Sequence, residues 1–174
     1  EVSKGTSGNA PHRFILSKNC LKKSLSSNEL IVEISGGSPT QSTGRSALIT
    51  TDFMDAYPVP IICTNFCRAI RLKNPIYSHF TNMLWKYLYL KDVFFGYENG
   101  TTGIKNLDLT GVLMREQVVI PSIETAGTYF AVAGMYSKII CHNAKENQYI
   151  ASIRDTILPK LMSGKIRVPI EEVV

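Results

Sequence analysis

Long apolar runs, cysteines, histidines and acidic pairs are all scarce in this sequence, and each scarcity excludes something. No apolar stretch approaches the ~20 residues of a transmembrane helix. No basic-then-apolar leader opens the chain, whose first residue is Glu1, so it reads as a piece of a longer protein or a processed one from the cytoplasm. The four cysteines, Cys20, Cys63, Cys67 and Cys141, are too sparse for a disulfide framework. Cys63 and Cys67 form a C-x3-C with no second pair, so a metal site with His79, or one from Cys141 and His142, has poor spacing. The thiols read as buried or incidental, and no metal or cofactor is expected. The three histidines, His12, His79 and His142, form no evident triad with a serine or cysteine, and no paired carboxylates stand out. The pattern argues against an enzyme, within the limit that triads assemble in space.

What is present suits a folded domain. Hydrophobic residues are 44% and charged residues 19% of 174, which excludes whole-chain disorder and fits one domain, or one domain plus an extended element. Nineteen basic against fourteen acidic residues give +5, a balance that permits a polyanionic partner without requiring one.

Along the chain the reading is mixed α+β (α/β in composition), with a mixed sheet. A strand-like piece at His12–Leu16 precedes a β-branched strand at Glu29–Ser35. The polar loop 36–44 and a strand at Arg45–Thr51 complete a long-tipped β-hairpin. Residues 61–72 alternate into a third strand. Pro75 opens a helix to about Lys91, with Phe80, Met83, Leu84, Tyr87 and Leu88 at helical spacing. Glu116–Ile120 reads as a short strand ended by Pro121. From Ile123 roughly 35 residues lack proline, about 50 Å of helix, ended by Pro159 and Gly164. Val132, Tyr136, Ile139, Asn143, Glu146, Ile150, Ile153 and Ile157 follow a 4-3 rhythm, a coiled-coil seam interrupted by two polar residues. The alternative is an ordinary amphipathic helix packed on its own domain. The division is therefore a globule at 1–121 and a helical arm at 122–174.

Three motifs resemble chemistry that the residues do not support. Gly36–Ser46 looks like a phosphate loop, but Arg45 stands where a Walker lysine would follow Gly44, and Pro39 occupies the position of the earlier glycine. Asn74-Pro75-Ile76-Tyr77 lacks the second proline of an amino-methyltransferase loop. Asn99-Gly100-Thr101 fits a glycosylation sequon that a cytosolic chain would not use. The polar loops themselves are richer. The first offers Ser38, Thr40, Gln41, Ser42, Thr43 and Arg45, and the second Thr101, Thr102, Lys105 and Asn106. Such groups donate to base edges and phosphates. Arg13, Lys18, Lys22, Lys23, Arg68, Arg71 and Lys73 supply a surrounding positive field. Arg45 and Lys105, at loop ends, are expected to matter more for a nucleic-acid partner than for folding.

The run Ile153-Arg-Asp-Thr-Ile-Leu-Pro-Lys-Leu-Met-Ser-Gly-Lys-Ile-Arg-Val168 resembles the end of the specificity subunit of type I restriction–modification enzymes. Gly36-Gly-Ser-Pro-Thr-Gln-Ser-Thr-Gly-Arg45, Asn65-Phe-Cys-Arg68 and Thr101-Thr-Gly-Ile-Lys-Asn-Leu107 resemble further blocks of that family, in family order. The resemblance implies a target recognition domain with a conserved helix, non-catalytic and bound to double-stranded DNA. Two such units in tandem pair their helices antiparallel and scaffold the methyltransferase (M) subunits and the restriction (R) subunit. This chain has one unit, so it corresponds to the second half of a subunit or to a half-subunit that forms a homodimer. The family's Pro-Pro-x-x-Glu-Gln at the helix start is here Pro121-Ser-Ile-Glu-Thr-Ala. The competing expectations are a protein-only assembly module and a small enzyme acting on an anionic substrate.

Overall fold

The computed structural model describes residues 2–167 apart from 7, 9, 37, 39, 58 and 101–103. Its elements mix helix and strand: α1 (Ser17–Lys23), β1 (Leu30–Glu33), β2 (Ser35–Gly36), β3 (Ser46–Leu48), α2 (Thr51–Met54), β4 (Cys67–Ile70), α3 (Ser78–Leu90), β5 (Glu98–Asn99), β6 (Lys105–Leu107), α4 (Leu109–Arg115) and α5 (Ile123–Met162). The strands form two three-stranded sheets, β3-β1-β4 and β2-β6-β5, rather than one. Every pairing between these strands is antiparallel.

The β1–β3 hairpin stands in the register Leu30↔Leu48, Ile31↔Ala47, Val32↔Ser46. β1 alternates strictly, with Leu30 and Val32 buried, as a strand with two unlike faces must. Leu30 and Val32 join Trp85, Phe94, Leu107 and Val112 in one core, whereas Ile31 packs beside a second core of Leu25, Ile49, Phe53 and Cys141. Ile34 joins the two sheets. Its N–H donates to the Phe66 carbonyl at 2.8 Å, and its own carbonyl accepts from Leu107 N–H at 2.9 Å.

Three local expectations are corrected. Residues 12–16 form no strand, and Phe14 is fully exposed. Residues 116–120 are irregular. After Leu48 the chain turns helical, because Thr50 caps α2 by accepting the Phe53 N–H. Helical structure starts where proline placement predicts: Asn74 accepts the Ile76 N–H in a 3-10 turn at Pro75–Tyr77, which leads into α3. Its buried residues, however, are Ser78, His79 and Trp85, while Met83 and Tyr87 are exposed. Two neighbours, the first core and α5, use different sides of this helix.

α5 is capped by Ser122, which accepts the Thr125 N–H. It runs through Pro159 and stops at Ser163 and Gly164, the latter at φ +70°. Forty residues span about 60 Å. Its near half belongs to the globule. Ala126 and Cys141 are buried, and a Cβ on Gly127 would stand 3.2 Å from the Ile76 side chain. Gly5, at φ +78°, crosses so closely that a Cβ there would meet the Cys141 backbone at 2.9 Å. Farther out, Gln148 donates to Thr6 Oγ1 at 2.8 Å. Among the described residues no helix is long and apolar enough to cross a membrane.

Candidate nucleic-acid interface

Three segments distant in sequence meet beyond the end of β1: the strands that carry the two polar loops, and the turn 64–67. The first loop follows β2. The second lies between β5 and β6, and β6 pairs with β2 so that Gly36 faces Lys105 and Ser35 faces Asn106. The third is the turn 64–67, closed by Cys67 N–H to the Thr64 carbonyl at 3.1 Å and fastened where Ile34 and Ser35 both donate to the Phe66 carbonyl.

The first loop is held from beneath. Trp85 Nε1 donates to the Gly44 carbonyl at 2.8 Å, and Tyr89 Oη donates to the Ser42 carbonyl at 3.4 Å. Thr43 donates through N and Oγ1 to Glu98 Oε1 at 2.5 and 2.9 Å. Thr43, named above among the candidate DNA-facing residues, is thus buried with Ser42 and forms a foundation of the loop. The tip is Ser38, Thr40 and Gln41. Gln41 N–H donates to Ser38 Oγ at 3.1 Å, with the Thr40 hydroxyl 3.3 Å from Ser38 Oγ. Thr40, Gln41 and, on the neighbouring strand, Asn106 are exposed. Thr101 and Thr102 lie outside the described residues.

Lys105 and Arg45 already have partners. Lys105 Nζ lies 2.9 Å from Glu98 Oε2 and 4.7 Å from the Phe95 ring centroid. Arg45 grips Glu33 with two bonds, at 2.9 and 2.7 Å, which raise its pKa further. The Arg45 side chain is 64% exposed and that of Lys105 only 26%, so Lys105 is the more structural of the two. Burial pushes the Glu98 carboxyl up, but the bonds from Lys105 and Thr43 outweigh it and hold the pKa below the ordinary glutamate range. A depressed carboxylate contributes stability that is complete above the unfolded pKa, ~4.3, and lost as pH falls through the folded one. Lys105→Ala is therefore expected to cost about 1–3 kcal/mol at neutral pH and to flatten the acid limb of the stability profile. Urea titrations from neutrality to acid check this, and an unchanged acid limb would refute it.

A cleft of about 470 Å³ runs beside the turn, lined by the end of α1 (Lys22, Lys23), by Thr64 and Asn65, and by Arg68 and Arg71 along and just past β4. Ser24 bridges to Ile62 and Leu25 N–H donates to the Ile61 carbonyl, which brings α1 against the segment leading into β4. Arg71 is clasped by Glu29, its Nε 2.6 Å from Oε1. Lys22, Lys23 and Arg68 are exposed, and among the described residues no salt bridge engages them. Cys63 and Cys67 also face the cleft, and burial raises both thiols, which disfavours the thiolate. Arg13 sits in the exposed segment ahead of α1 and is not part of the cleft lining. His79 packs edge-on to Phe130, centroids 5.2 Å apart, and burial lowers its pKa. Cys141 lies in the second core. The Cys63–Cys67–His79 grouping is accordingly not assembled. Among the described residues no three His, Cys, Asp or Glu side chains gather as metal ligands.

On α5, Ala126, Phe130 and Cys141 pack on the globule, and the first two seam residues, Val132 and Tyr136, line a hollow shared with Asn82, Met83 and Lys86 of α3. The seam from Ile139 onward lies outside that hollow. Val132, Tyr136, Ile139, Ile150, Ile153 and Ile157 are 39–65% exposed. Asn143 and Glu146 are exposed between them, with His142 Nε2 3.6 Å from Glu146 Oε1.

Two partners escape sequence reasoning, Glu33 and Glu98. The hairpin register is the signal that could find the first, since it places Glu33 across from Arg45. In comparisons with known proteins, no family model and no curated protein matches this chain.

Proposed function

We propose that this chain is a non-catalytic module that reads duplex DNA, of the kind found in type I specificity subunits, and that it takes one half of a bipartite target. The observation that carries this reading is the meeting of the strands that carry the two polar loops with the turn 64–67, beside a cleft whose Lys22, Lys23 and Arg68 lack salt-bridge partners among the described residues. The division of labour follows from side-chain chemistry. The cleft cations hold phosphates, which gives affinity without sequence. Gln41, Thr40, Ser38 and Asn106 present amide and hydroxyl groups suited to base edges. The rigid footing of the first loop on Trp85, Tyr89 and Glu98 reduces the ordering that binding would otherwise require. Methyl transfer and cleavage belong, in this reading, to M and R subunits bound elsewhere.

The test is fluorescence anisotropy with a labelled random-sequence duplex. Weak binding, ~10⁻⁴–10⁻⁶ M, that falls steeply as salt rises is expected of one half-site. No binding at low salt would overturn the reading.

A second reading, a protein-assembly module without DNA, is favoured by one observation: the exposed seam of α5. A line of aliphatic groups on a projecting helix is costly in water and seeks a partner. Antiparallel self-pairing is expected, modest because facing Glu146 copies repel. Sedimentation equilibrium should show association that tightens with Glu146→Leu and disappears with Ile150→Glu. A monomer unaffected by both substitutions would dismiss the seam as an interface.

A further inference from the structure

Phe66 stands at the tip of the turn 64–67 with 52% of its surface exposed. Its backbone is among the most tightly fixed in the region. Its N–H donates to Thr64 Oγ1 at 3.3 Å, and its carbonyl accepts from Ile34 and Ser35 at 2.8 and 3.2 Å. The turn is therefore closed by backbone and hydroxyl groups, and the ring is not needed to shape it. About half of the residue's surface stays in water after folding, an apolar area left for a partner.

Its surroundings differ on its two sides. On one side lies the cleft with Asn65, Arg68, Lys22 and Lys23. On the other lies a second hollow, about 480 Å³, which Phe66 lines together with Arg45, Lys86 and Glu33. A protein hot spot would be centred in a desolvated apolar patch. An aromatic at the rim of the basic cleft, with a mixed hollow behind it that holds Ile31, Tyr89 and the Arg45–Glu33 pair, fits a strand of nucleic acid instead, where cations track the backbone and the ring meets a base.

The geometry points to Phe66 as a base-contacting residue that packs its ring against an exposed base or wedges at a base-pair step of the duplex, while Arg68 and the α1 lysines hold the adjoining phosphates. This rests on the duplex-reading function proposed above. Apolar side chains used in this way partly unstack a step and kink the helix. Phe66 would then contribute shape readout, beside the hydrogen-bonding readout of the loops.

The test compares Phe66→Ala and Phe66→Trp with the parent chain on the same labelled duplex, at low salt, with thermal melting as the folding check. Phe66→Ala should weaken binding roughly five- to a hundredfold with an unchanged melting temperature and an unchanged salt slope. Phe66→Trp should retain binding, and its new indole should be quenched by the duplex. The one native tryptophan, Trp85, is buried and contributes a constant background. Equal affinity of Phe66→Ala and the parent, or an indole at position 66 that DNA leaves unquenched, would overturn the proposal. If Phe66→Ala melts early, the indole signal alone decides. Failure of the parent chain to bind any duplex is a separate outcome, and it would remove the duplex-reading function together with the role of Phe66.

Discussion

Trp85→Ala is expected to remove about 3–5 kcal/mol of stability, a large share of the about 5–15 kcal/mol that holds a domain of this kind together. Three features of the site set that size. The indole is 4% exposed. It stacks on Phe94 with centroids 4.9 Å apart, in the core that Leu30 and Val32 close from the strand side. Its Nε1 also carries the buried carbonyl of Gly44, so truncation leaves both a cavity and an orphaned acceptor. The neighbourhood has little room to relax, because Gly44 sits at φ +106° and a Cβ there would lie 2.5 Å from the Phe94 ring. Trp85→Phe separates the contributions. It keeps most of the packing, loses the donor, and should cost about 1–2 kcal/mol. Equilibrium urea unfolding measures both. A loss below about 1.5 kcal/mol for the alanine variant would mean that the loop carries itself.

Reversing Lys22, Lys23 and Arg68 to glutamate should weaken duplex binding by roughly a hundredfold or more and reduce the salt slope by about one for each phosphate that is no longer neutralised. These side chains are exposed, so the effect on folding should stay within about 0.5 kcal/mol. Net charge alone is controlled by a second triple variant, Lys138, Lys145 and Lys160 to glutamate, which makes the same change on the exposed surface of α5. Anisotropy titrations over a range of salt compare the two. Equal losses in both variants would show an unlocalised field, and the cleft would lose its special status.

The parts of the fold that are legible in the sequence are those fixed by local physics. The β1–β3 hairpin follows from β-branched alternation on either side of a polar loop. α3 follows from Asn74 and Pro75, and α5 from a long proline-free stretch. The failures share a cause. Residues 12–16 and 116–120 have strand-like composition, but a strand needs a neighbour, and neither segment pairs with any strand among the described residues. Trp85 does not stand out as a core residue in the helical pattern because α3 packs on two sides, which blurs a single period. Pro159 has the composition of a stop, yet near the end of a helix it disturbs only a local bond, and α5 continues to Met162.

Of the site, the composition of the loops is legible and the state of their charges is not. Lys105 and Arg45 look available in sequence because the carboxylates that bind them come from paired strands. The cleft is the opposite case: in sequence Lys22, Lys23 and Arg68 are scattered cations, and only the packing of α1 against the segment leading into β4 makes them one surface.

The contacts of the first half of α5 with the globule anchor the second half at its base. Gly127 against Ile76, Cys141 in the core and Gln148 bonded to Thr6 tie the helix to the globule at three points along its length. Where two such units sit on one duplex, length becomes the adjustable quantity. Each added residue moves the reading heads by about 1.5 Å and each heptad by about 10.5 Å, close to the rise of three base pairs. Under the proposed duplex-reading function, whole-heptad insertions in the arm would keep the seam in phase and change the gap between half-sites.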